Sequence, residues 1–115
     1  MIDITRDPGI VSLRIHGREM SFHADSDFAE RLSQLAAEAS ERAEVAKRLG
    51  SRDPKQVRAF LSHAVDVLLG EGTVDDLFGE ELPEVLDLME ILTGVADAFH
   101  GYRAERLRRI KEERA

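Results

Sequence analysis

Cysteine is missing from all 115 residues, which removes a disulfide framework, a thiolate nucleophile and any cysteine-based zinc site. A reducing compartment suits such a chain. Long apolar runs are missing too: Asp66 and Asp97 interrupt the longest, well short of the roughly 18 residues a membrane-spanning helix needs. Residues 1–9, MIDITRDPG, lack the basic-then-apolar order of a secretory signal. A soluble intracellular protein is the expectation.

Catalytic and metal-binding patterns are equally scarce. The four histidines, His16, His23, His63 and His100, fall in a turn, a strand and two different helices, with no HExxH and no short chelating spacing. Ser62 and His63 are neighbours that face about 100° apart on a helix, which rules out a nucleophile with its base. Asp66, Glu71, Asp75, Asp76, Glu80 and Glu81 lack calcium-loop spacing and read as a solvated surface. The glycines of Gly70-Glu71-Gly72 follow a helix rather than a strand, without the lysine of a phosphate loop, and read as helix stops. Neither an enzyme nor a cofactor nor a metal site is expected.

What is present is charge, unevenly placed. The net charge is −7. Six Lys and Arg against three Glu make residues 101–115 a basic tail of +3 on a body of −10. Such a body repels nucleic acid and anionic lipid at long range. Basic residues at a helix C-terminus favour the negative end of its dipole, and they also suit self-association or docking to an acidic partner.

The chain reads as α+β: an N-terminal β-hairpin or small antiparallel sheet, then three main helices and one short helical turn. At this length a chain buries roughly 65% of its unfolded surface as one domain. That domain divides into a hairpin region over 1–25, a helical body over 26–100 and a basic helical tail over 101–115. Ile2 and Ile4 alternate before the turn residues Asp7-Pro8-Gly9 and predict a first strand. Val11, Leu13 and Ile15, then Met20, Phe22 and Ala24, share one face either side of Gly17, a hairpin with a two- to four-residue loop.

Asp27 and Glu30 resemble a capping box that opens a helix over 27–49. Its stripe of Phe28, Leu32, Leu35, Ala39, Ala46 and Leu49, with Arg42 interposed, is narrow and favours close packing on another helix. Asp53 and Pro54 open the next helix. There Val57, Phe60, Leu61, Ala64, Val65 and Leu68 form the cleanest amphipathic pattern, with Phe60 and Leu68 expected in the core. Thr73 is expected to cap a short turn through Leu77 and Phe78, which pack the elbow onto the core. From Pro83 the last helix carries Val85, Leu88, Met89, Leu92, Val95, Ala96, Phe99 and Tyr102. If continuous it runs about 50 Å and protrudes, with Gly94 and Gly101 as the places for a kink or fraying.

The hairpin sequence G-R-E-M-S-F, the helix start D-F-A-E and the block FLSHAVDVLLGEGTVDDLFG at 60–79 together resemble small tail-morphogenesis proteins of long-tailed phages and prophages, the tail assembly chaperone type. The likeness covers roughly residues 13–100. Its most specific element is D-x-L-L-G-E-G-x-x-x-x-L-F-G, from Asp66 to Gly79; residues 1–10 have no counterpart in it. The resemblance implies a non-enzymatic role: binding the long helical tape-measure protein and helping to gather tail-tube subunits around it. The protruding last helix makes Phe99, Tyr102, Leu107 and Ile110 the expected partner-binding residues. The narrow stripe and the long helix also predict a homo-oligomer. Two other classes fit the residues: an antitoxin-like or other small partner-binding module, and a nucleic-acid-binding regulator, which the acidic body disfavours.

Overall fold

The computed structural model describes residues 6–113. A two-stranded antiparallel sheet is followed by four helices, an α+β layout. The strand expected at Ile2–Ile4 lies outside the described residues. Strand β1 (Ile10–Ile15) pairs with β2 (Arg18–His23) in a register that sets Val11 opposite Phe22 and Leu13 opposite Met20. The loop is two residues long. His16 and Gly17 both have positive φ (50° and 78°), the type I′ geometry whose twist matches that of the flanking strands. Past the ladder, the Ala24 amide donates to the Gly9 carbonyl at 2.7 Å.

The hairpin's apolar face is covered by helices. Helix α1 (Ser26–Leu49) starts at Asp25, whose extended backbone lets its carboxylate accept the Phe28 amide at 2.9 Å. The expected cap at Asp27 is therefore two residues late: Asp27 already lies in the first helical turn. Gly50, at φ 72°, closes the helix. Phe28 stacks on Phe22 with ring centroids 4.4 Å apart and lies 5.0 Å from Phe99, so one aromatic column ties β2, α1 and the last helix together.

Helix α2 (Pro54–Leu69) has Asp53 as its cap and Pro54 in the first turn, and buries Ala64, Val65 and Leu68. Phe60 is only half-buried, because its ring lines an open groove between α1 and α2. Helix α3 (Thr73–Phe78) follows the elbow. Its cap is not the Thr73 hydroxyl, which turns back to donate to the Gly70 carbonyl at 2.6 Å. Instead Asp66 of α2 accepts the Val74 amide at 3.0 Å, so one carboxylate fastens the second helix to the third. Leu77 and Phe78 pack half-buried against the core, Phe78 edge-on to His16.

Helix α4 (Val85–Glu113) is continuous through Gly94 and Gly101 and does not end at the body. It buries Leu88, Ile91, Val95 and Phe99 against α2 and the hairpin. Met89, expected on this face, lies outside the core at the edge of the space between α1 and α2, and Ile91 is buried instead. The tail is held at the side of the fold by the N-terminal segment. The Tyr102 hydroxyl donates to Asp7 Oδ1, Arg109 donates to Asp7 Oδ2 at 3.2 Å, and Arg103 donates to the Ala24 carbonyl at 3.2 Å. The molecule measures 61 × 33 × 18 Å, with a radius of gyration of 17.1 Å.

Candidate functional site

An open groove runs between the distal half of α1 and the first turns of α2. Val57, Phe60 and Leu61 project from α2, Val45, Ala46 and Leu49 from α1, and Met89 reaches in from α4. It encloses about 740 Å³ and its lining is mainly apolar. Between Leu35 and Leu49 the α1 stripe is Ala39, Arg42 and Ala46, side chains too small or too polar to fill the space facing α2. Leu49 is left 74% exposed. The Arg42 guanidinium lies 4.7 Å from the Phe60 ring centroid and pairs with Glu38 at 3.3 Å, roofing part of the groove with a cation–π contact.

Glu38, Glu41 and Asp53 alternate with Arg42 and Arg52 around the rim. An apolar floor with a mixed-charge rim suits an amphipathic helix of another protein. It offers no convergent set of acids, bases or nucleophiles. Among the described residues no group of three or more His, Asp or Glu is placed to hold a metal ion. Likewise no helix is long and apolar enough to cross a membrane.

The four residues expected to bind a partner do not form one site. Phe99 is 4% exposed and belongs to the core, its ring flanked by Phe28 and by the Arg103 guanidinium. Tyr102 is half-buried and committed to Asp7. That bond, followed by the Gly9 amide, holds the Asp7 carboxyl below its ordinary value, and the same bond pushes the Tyr102 hydroxyl up. Leu107 and Ile110 alone remain exposed, on the tail.

The groove residues Val45, Leu49, Phe60 and Met89 were missed as a site because periodicity reads an apolar face without showing whether anything covers it. The legible hint was Arg42 on the α1 stripe among alanines. No family model, no curated protein and no solved structure matches this chain.

Proposed function

We propose that this protein is a non-enzymatic binding module that holds a helical segment of another protein in the α1–α2 groove. Within that class we propose a tail assembly chaperone of a long-tailed phage or prophage, acting on the tape-measure protein and, through it, on tail-tube subunits. The observation that carries the first step is the groove itself, whose apolar lining no other element of the described chain covers. Support for the second step is the resemblance centred on Asp66 to Gly79, the segment that forms the α2–α3 elbow beneath the core. A long helical client offers repeated apolar stripes, and each chaperone covers a short length of it, so several copies per client are expected.

The test is coexpression with the neighbouring tape-measure protein. The client should stay soluble in a complex that survives moderate salt, because the contacts are mainly apolar. Leu49→Glu and Val45→Glu, both on exposed positions, should abolish the complex while leaving the thermal midpoint of the free protein unchanged. A client that aggregates equally with and without this chain would remove the reading. So would tight binding to DNA or RNA that falls by orders of magnitude between about 50 and 200 mM salt.

A further inference from the structure

We propose that α4 is also a self-association helix, through which two copies of this chain pair antiparallel about a two-fold axis near Ala98. The inference rests on α4, and the seam shares Met89 with the edge of the α1–α2 groove. The core takes one face of α4; beside it a second stripe is bare at both ends, with Leu86 70%, Met89 48%, Leu107 53% and Ile110 42% exposed. Met89 and Leu107 stand about five turns apart on a 3.6-residue repeat, so they share one azimuth. Asp7 binds the tail from the other side, through Tyr102 and Arg109, and leaves this face open.

The uncovered residues keep the spacing of a coiled-coil seam. Leu86, Met89, Thr93, His100, Leu107 and Ile110 fall on one alternation of three and four, with Ala96 and Arg103 completing it. Arg103 is drawn aside to the Ala24 carbonyl. The seam is apolar at its ends and small or polar at its middle.

Charge selects the partner and the direction. From Glu80 to Tyr102 the chain carries Glu80, Glu81, Glu84, Asp87, Glu90 and Asp97 with no basic residue; from Arg103 to Lys111 it carries five basic residues and a single Glu. A parallel pair would set like charge on like. An antiparallel pair sets the acidic half of each helix on the basic half of the other, and opposes the two macrodipoles favourably. With the axis near Ala98, Leu86 meets Ile110 of the second copy, Met89 meets its Leu107, and Ala96 leaves room for its His100. On the flank, Glu90 meets Lys111 of the second copy. Within one chain these two lie about 30 Å apart along the helix. Among the described residues neither has an ion-pair partner.

Sedimentation equilibrium should give a particle of twice the 12.9 kDa chain mass at tens of micromolar. Glu90→Lys and Lys111→Glu should each weaken association on the order of tenfold, since each disturbs two symmetry-related pairs, and the double variant should recover most of the loss. Because residues 90 and 111 of one chain cannot meet, recovery can arise only across an antiparallel interface. The chain has no native cysteine, so a short bismaleimide reads geometry directly. A mixture of Met89→Cys and Leu107→Cys proteins should give cross-linked dimers that neither gives alone. A monomer at these concentrations, Met89→Cys cross-linking to itself, or no recovery in the double variant would overturn the proposal.

Discussion

Two apolar side chains from facing helices mark the difference between core and surface here. Leu88 of α4 is fully enclosed, whereas Phe60 of α2 stands at the edge of the groove under Arg42. Truncating Leu88 leaves a cavity that rigid neighbours cannot fill. Leu88→Ala should therefore cost about 3–5 kcal/mol. Phe60 faces solvent on one side, so Phe60→Ala should cost only about 1–2 kcal/mol, the partial burial of one ring and its cation–π contact. Urea denaturation of the two variants checks the pair. Equal losses would mean that the groove is closed in solution.

Among the elements, α4 carries two glycines that its own fold does not require. A Cβ built at Gly94 or Gly101 meets nothing within 4 Å, and neither backbone is left-handed. Gly94→Ala and Gly101→Ala should each stabilise the protein by about 0.5–1 kcal/mol, read as a rise in the thermal midpoint. The elements themselves were largely legible: the period-two runs around Gly17 gave both strands, and Asp53-Pro54 and Gly50 marked true helix ends. The capping details were less so. Asp66 caps α3 from eight residues away, a contact that depends on how sharply the chain turns at Gly70 and Gly72. Local cap rules look only within one turn. The groove was illegible for a related reason: whether another element covers the end of α1 is set by packing, and Leu49 has the same periodicity whether covered or bare.

At the scale of the whole molecule, Asp7 and Tyr102 join the two ends of the described chain, 95 residues apart in sequence. The Asp7 carboxyl is held below its ordinary 3.8 by the Tyr102 hydroxyl, then by the Gly9 amide. Its contribution is complete above that value and is lost as pH falls through the lowered folded value. The Tyr102 hydroxyl is raised above its ordinary 10.0 by the same bond, so its contribution is present below 10.0 and is lost as pH rises through the folded value. The tie should hold between these limits and release at both. Because Tyr102 is the single tyrosine in a chain without tryptophan, tyrosinate absorbance follows it alone. Asp7→Asn should bring its titration down toward 10.0, and an unchanged titration would show that the bond does not form in solution.

The elongated outline also governs how the protein travels. A compact chain of 115 residues should have a radius of gyration of about 13 Å, and 17.1 Å is the value for a compact chain of about 220 residues. On a gel-filtration column a single copy would therefore elute near the place of a globular protein twice its mass. Elution volume alone would count one rod as two spheres, so stoichiometry for this chain has to be weighed rather than timed.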